Sequence, residues 1–414
     1  MATSRWIGRA ESVAQKDTIT VAGTWATADT ATLTIGGANL TYTVGSQTTT
    51  AQVATGIKEM VEGTTFTDTT ATSNAVGTNV PQFSGITATV SGSVVTMTAD
   101  TRGKPFTLTA SEVTAGTGTA TRGASQAATS KNHVDDPDNW TEGSVPGAGD
   151  DVYIDNSSVS LLYGLDQLSG TLTSLHIGAS FTGTIGLPKN ASGYAEYLPD
   201  YLVVDCTTIT IGEGVGNGSG RIKINSGSVQ TAVTVIKGGT SAEAPGLPAI
   251  LWKGTHASNA LTLQDCSFGA AAIFDETAAV ATLRASGSAN VTMGAGVGTI
   301  TTTTVSGQAR VTIEDSALTT LTVHGGYVTT RGSGTGGTVT VNSGKVDWNS
   351  TGTVTTLALG GRVNTATFDA TAELTPKTIT NLTMQENAVL VDPNKVLTIT
   401  NNIAFGSGAT TIRT

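Results

Sequence analysis

Between Ala281 and Asp392 one short phrase returns at nearly fixed spacing, and few folds can accommodate that. The phrase is an apolar residue or Thr, a small or polar residue, a second apolar or small residue, then Gly within about three positions. It reads Leu283-Arg284-Ala285 before Gly287, Thr303-Thr304-Val305 before Gly307, and Leu321-Thr322-Val323 before Gly325. It continues as Val339-Thr340-Val341 before Gly344 and Leu357-Ala358-Leu359 before Gly360, with Leu382-Thr383-Met384 as a further turn lacking its glycine. The first positions lie 20, 18, 18, 18 and 25 residues apart, and Leu263-Gln264-Asp265 stands 20 before the first. A period near 20, with alternation of two inside each unit, is the signature of a stacked, coiled β architecture. The expected fold is mainly β: a parallel, right-handed β-helix or solenoid, carrying a small N-terminal α/β module.

Composition agrees. Charged residues are 13% of the chain, Gly contributes 51 of 414, and Thr roughly a fifth. Disorder requires low hydrophobicity with high net charge, whereas 38% of these residues are apolar. Thr and Val suit strands, while Gly, Asn and Asp suit the corners between them. The net charge of −10 and the lack of any Lys/Arg cluster argue against a nucleic-acid partner. No run of 18 apolar residues predicts a membrane span. Met1–Ala10 has no apolar core of the signal-peptide kind, so the expectation is a protein made and assembled in a cytoplasm. Cys206 and Cys266 fall about three coils apart, too far to bridge at about 4.8 Å per layer, which predicts reduced, buried thiols.

Along the chain, residues 1–16 read as an N-terminal arm around Trp6 and Ile7, either an anchor for a partner or a strand on its own domain. Residues 17–115 form the module. Leu33 and Ile35 alternate into Gly36-Gly37-Ala38-Asn39, then Leu40, Tyr42 and Val44 alternate out again, which makes a hairpin. A helix is predicted over Thr49–Glu62, with Val53, Ile57, Met60 and Val61 on one face, a threonine cap and Gly63 as its stop. Ile86, Ala88 and Val90 should face Val95, Met97 and Ala99 across Ser91-Gly92-Ser93, and Phe106 and Leu108 begin a last strand. Residues 116–136 lack apolar periodicity and read as a linker. The β-helix is placed at 137–400 and a tail at 401–414. About fourteen coils at about 4.8 Å would give a rod of roughly 65 Å. No capping element is evident after Val391, and an open solenoid end favours association with another chain.

Three stretches carry a resemblance. "GTWATADTATLTIGGANLTYTVGSQTTTAQVATGIKEMVEG" (Gly23–Gly63) with "ITATVSGSVVTMTADTRGKPFTLT" (Ile86–Thr109) resembles a small module of bacteriophage tail sheath and other tail-associated proteins. It covers about a quarter of the chain. Asn139–Ile154, with Trp140, Val145-Pro146-Gly147 and Asp150-Asp151-Val152, looks like the opening segment of bacterial and phage β-helix proteins. The resemblance implies a virion setting and a docking role, and it implies no catalytic residues. Physically, Trp140 can close the exposed end of the first coil.

A search for chemistry yields little. His133, His176, His256 and His324 are scattered without ligand spacing. Asp135, Asp136 and Asp138 with Asn139 offer oxygens for calcium, but without the spacing of a calcium loop, and a solvated turn is the plainer reading. Glycan cleavage would need two carboxylates at about 5 to 9.5 Å; Asp265 with Asp275 or Glu276, and Glu314 or Asp315 with Asp347, are the pairs neighbouring coils could supply. Tyr327 and Trp348 are the main aromatic candidates for a sugar platform in the regular coils. The insertions at 186–200 and 239–248 are where binding would sit on a solenoid. No catalytic, cofactor-binding or metal residue is assigned. The expectation is a non-enzymatic virion protein (fibre, spike or decoration) that contacts other virion proteins and associates with itself, as a trimer by analogy. A tailspike acting on a host surface glycan and a cell-surface adhesin are the alternatives.

Overall fold

Inward-pointing residues from successive coils form one continuous column. Val152, Leu175, Ile209, Val233, Leu261, Leu283, Thr303, Leu321, Val339, Leu357 and Leu382 pair strand to parallel strand. Every one is at most 2% exposed. This computed structural model describes residues 2–166, 168–187, 200–216, 220–237, 249–265, 272–274, 279–360 and 364–412. The architecture is a parallel β-solenoid of about 10 turns, hence a rod of roughly 48 Å at about 4.8 Å per turn. That is shorter than the fourteen coils expected, because the early turns are long: Leu175 pairs with Ile209 and Val233 with Leu261.

Alternation does the sorting. Thr303 and Val305 point into the core while Thr302 and Thr304 face out, and the same order holds at Leu321 and Val323. The outward Thr302, Thr320, Thr338 and Thr356 stack in register at 18-residue steps. A second inward column, Val291, Val311, Val328, Val346, Phe368 and Leu390, lines the adjoining wall. Each buried Val or Leu contributes about 1.5–3 kcal/mol, so every turn is held by apolar stacking on its neighbours. The corner between the walls excludes side chains. A Cβ on Gly325 (φ 131°) would lie 2.8 Å from the Gly307 carbonyl oxygen, and one on Gly344 (φ 89°) 2.5 Å from that of Gly326. The glycines closing the Leu321 and Val339 phrases are thus demanded by the backbone one turn away.

One register differs from the sequence reading. Leu283 pairs with Leu261, while Leu263 pairs with Ala285, so the phrase before Leu283 starts at Leu261 rather than Leu263. Two apolar residues two apart leave the phase of a period-2 pattern open.

The N-terminal module holds two four-stranded antiparallel sheets and one helix. Thr30–Ile35 pairs with Ala38–Thr43 around Gly36-Gly37, both at positive φ, the two-residue turn a right-twisted hairpin favours. Ile86, Ala88 and Val90 lie opposite Ala99, Met97 and Val95 as expected. The helix runs Thr50–Glu62 with Thr49 as N-cap in a capping box with Gln52, and ends at left-handed Gly63. Val53, Ile57, Met60 and Val61 are buried against the sheets. Glu62 reaches back to accept from the Ala88 amide, which blocks the open edge of Ile86–Ser91.

Residues 1–16 take the second of their two readings, a strand on the protein's own fold: Thr3–Arg5 pairs in parallel with Asp151–Tyr153 of the solenoid. Trp6 is 2% exposed, meets Trp140 edge-on at 5.2 Å and donates from Nε1 to the Val159 carbonyl; Trp140 itself is fully buried at that end. Two boundaries change. Residues 116–136 are not a linker. Thr119–Gln126 pairs with Lys16–Ala22, a strand carried by backbone bonds, since only Ala120 among its residues is buried. The coiled strands also pass residue 400, for Leu397–Phe405 and Thr410–Ile412 pair with Lys377–Met384 and Ala388–Val391.

The module is therefore a loop inserted between the first two strands of the solenoid. Its two chain crossings bridge at Val13 and Thr129. Asn139, fully buried, ties them together: its Oδ1 accepts from the Ala10 amide at 2.8 Å, and its Nδ2 donates to the carbonyls of Ser130 and His133 at 2.8 Å.

Candidate functional site

Since neighbouring turns stack side chains about 4.8 Å apart, outward chemistry should appear as short ladders across strands. One ladder brings carboxylates together. Thr312, Thr329, Asp347 and Asp369 share a column, and Lys345, two residues before Asp347 on the same strand, lies between the two acids. Lys345 Nζ is 2.8 Å from Asp347 Oδ1 and 3.0 Å from Asp369 Oδ2. The contact to Asp347 is an ion pair without a directed hydrogen bond, for that buried oxygen has no hydrogen-bond partner. Burial first, and the neighbouring Asp369 charge second, push Asp347 up to about 6. Burial also raises Asp369, but hydrogen bonds from Thr371 and the charge of Lys345 outweigh it and leave its carboxyl below the usual value. Two adjacent acids with oppositely moved proton affinities are what acid–base chemistry needs. Here the ammonium occupies the space between them.

The sequence candidates are distributed otherwise. Glu314 stands in the column of Arg331 and Asn349, not that of Asp347, and pairs with Arg331 at 3.0 Å. Asp315 occupies a left-handed corner (φ 54°), where its Oδ1 accepts from the Ser333 amide at 2.7 Å. Asp265 occupies a similar corner at φ 42°; Asp275 and Glu276 lie outside the described residues. Trp348 is no sugar platform. It is 1% exposed, stacked toward Phe368, with Nε1 donating to the Gly352 carbonyl. Its inward side is fixed by parity with Val346, two residues earlier on the same strand. Tyr327 is half-buried, 5.7 Å from Lys345 Nζ.

The calcium candidates disperse. Asp136 caps a short turn by accepting from the Asp138 amide, Asp135 contacts His133, and Asn139 is the buried tie described above. Among the described residues no group of three or more His, Cys, Asp or Glu could hold a metal. Cys206 is buried with its Sγ donating to the Thr208 carbonyl, and burial pushes its thiol up to about 11, which keeps it protonated and inert. Cys266 lies outside the described residues, as do 188–199 and 238–248, the greater part of both insertions. At the root of the first, Lys223 is buried with Nζ donating to the Leu187 carbonyl at 2.8 Å.

No family model, curated protein or solved structure matches this chain. The functional reading therefore rests on geometry and on the resemblance drawn from the sequence.

A second ladder had no sequence signal of its own, because it depends on where residues 3–5 pair. Arg5, Tyr153 and His176 stand on successive strands. The Arg5 guanidinium sits 4.5 Å over the Tyr153 ring, and Tyr153 stacks on His176 at 4.6 Å and 10°. Arg5 pairs with Asp155, and His176 Nε2 meets Ser174 Oγ at 3.1 Å. Both ring faces of Tyr153 are thus occupied, and the stack fastens the first strand to the second and third. No described helix is long and apolar enough to cross a membrane.

Proposed function

We propose that this chain is a rigid, non-enzymatic structural protein of a bacteriophage virion, a fibre, spike or decoration. The module contacts other virion proteins and the solenoid projects from it. The observation that carries the reading is the double crossing between module and solenoid, locked by Asn139 and the Val13–Thr129 bridge. A single tether would let the rod swing; two bridged crossings fix its direction, which a projecting element requires. The outward threonine ladders suit an inert wall, and the resemblance of the module supplies the phage setting. Self-association, as a trimer, belongs to the same proposal. Mass spectrometry of purified particles tests it. Peptides of this chain in constant ratio to the capsid or tail proteins are expected; their absence from particles, with the protein found only in uninfected cells, overturns it.

One observation favours a second reading, a tailspike-like protein that cleaves a surface glycan: Asp347 and Asp369 stand side by side on neighbouring turns, with proton affinities moved in opposite directions. Incubation with host capsule polysaccharide decides this. Chain shortening that Asp347→Asn abolishes would replace the scaffold reading, and unchanged polymer length would remove the alternative.

A further inference from the structure

Between the module and the first turns of the solenoid lies a cleft of about 470 Å³. Ligand sites occur preferentially at such junctions and span about 300–1,000 Å³. Its walls come from both sides: Phe106 and Arg122 from the module, Asp135, Leu162 and Tyr163 from the chain that begins the solenoid.

One wall offers a held donor. Asp17, 1% exposed at its side chain, accepts from Arg122 Nε at 3.0 Å and Nη2 at 2.8 Å. Gln15, itself buried, donates to the same Asp17 oxygen at 3.3 Å and to the Phe106 carbonyl at 2.7 Å. The guanidinium plane is therefore set, and neither of its bonds to Asp17 uses Nη1. The other wall offers a held acceptor. His133, 4% exposed, points Nε2 at the Gly103 carbonyl at 2.9 Å and Nδ1 at Asp135 Oδ1 at 3.1 Å. Gly164 (φ 62°) closes on Asp135 so tightly that a Cβ there would fall 2.0 Å from Asp135 Oδ1. Asp135 remains 41% exposed. The Tyr163 ring, packed at 5.2 Å on His133, and Phe106 line the same cleft with apolar surface.

We infer that this cleft binds a neutral saccharide unit. A hydroxyl both donates and accepts, so a polyol answers Arg122 and Asp135 together, and the carbon face of a pyranose suits Tyr163 and Phe106. An anion would meet Asp17, Asp135 and Asp166 against Arg122, within a chain of net charge −10. A cation would satisfy the aspartates and be repelled by Arg122. The inference is independent of the scaffold reading: a virion rod with or without this site remains a virion rod.

The test is saturation-transfer NMR on the full chain with glucose, galactose, N-acetylglucosamine and their disaccharides, and with spermidine and citrate as charged probes. At least one neutral sugar should bind, with Kd on the order of 1 mM. Thr107→Trp, which fills the cleft from an exposed position on its wall, should weaken that binding at least about tenfold. The double change Asp17→Asn with Arg122→Met removes the held donor without leaving a buried charge and should act alike. No neutral sugar bound, binding of spermidine or citrate alone, or sugar binding unmoved by Thr107→Trp would each overturn the inference.

Discussion

Thr303 occupies an inward position between Leu283 and Leu321, fully buried, and its Oγ1 has no hydrogen-bond partner. Thr231 is equally buried, at 1% exposure, but its Oγ1 donates to the Cys206 carbonyl at 2.8 Å and approaches that of Val229 at 3.0 Å. Replacing each by Val keeps the β-branched shape and removes only the hydroxyl. At Thr303 the change deletes an unsatisfied polar group, whose burial costs about 1–3 kcal/mol, and adds methyl contact to the apolar column. Thr303→Val should therefore stabilise by about 1–2 kcal/mol. At Thr231 the same change breaks a made bond and strands a carbonyl, so Thr231→Val should destabilise by about 1 kcal/mol. Solenoids need not unfold in one step. The assay is accordingly amide hydrogen exchange of Leu283–Val323 and of Cys206–Val235, with calorimetric Tm alongside. Slower exchange around Thr303 and faster exchange around Thr231 are expected. Equal signs for the two variants would refute the reasoning, because burial and shape are matched and only the hydrogen bond differs.

Other outcomes follow from the same structure. Gly325→Ala places a methyl 2.8 Å from the Gly307 carbonyl oxygen at φ 131° and should cost at least about 2 kcal/mol, read as a lower Tm. Gly56→Ala drives a Cβ to 2.2 Å from Tyr42 Cζ, and should part the helix from its sheet, seen as exposure of Tyr42 in its fluorescence. Asp347 holds its proton more tightly folded than unfolded, so its contribution is full below about pH 4 and is lost as pH rises through about 6. Asp347→Asn should thus gain Tm over the parent from pH 4 to pH 7; a difference that shrinks over that range would contradict this. Asn139→Ala unties three backbone groups from both crossings, and should raise protease cutting within Gly8–Gln15 or Ala127–Asn132 at least about fivefold.

The solenoid was readable because its constraint is written many times over: five phrases from Leu283 to Gly360 repeat the inward–outward alternation and the corner glycine. What the repeat left open was phase. Leu261 and Leu263 both fit the inward slot, and only pairing with Leu283 and Ala285 decides between them. Trp348 has the chemistry of a ligand platform, but parity with Val346 turns it inward. The helix was legible to within one residue, Thr49–Glu62 expected and Thr50–Glu62 found, since a threonine cap and Gly63 are local signals. Thr119–Gln126 was not, because its place comes from bonds to Lys16–Ala22 about a hundred residues earlier and from no apolar pattern of its own. The Asp347–Lys345–Asp369 group escaped for a related reason. The turn joining those acids is longer than 18 residues, so their alignment needs the register of Gly344 with Ala366.

The inserted module also dictates an order of assembly. Every later strand of the solenoid finds its partner a few tens of residues back along the chain, but the contact that seats Ala2 at Asp150 spans 148 residues. Closing that loop is slow for an open coil and quick once Asp17–Gln126 has folded and drawn its two ends together. Residues 3–6 thus take their place after strands that follow them in the chain. Thr3–Trp6 acts as a latch, shut only after both the module and the strand at Asp151–Ile154 exist.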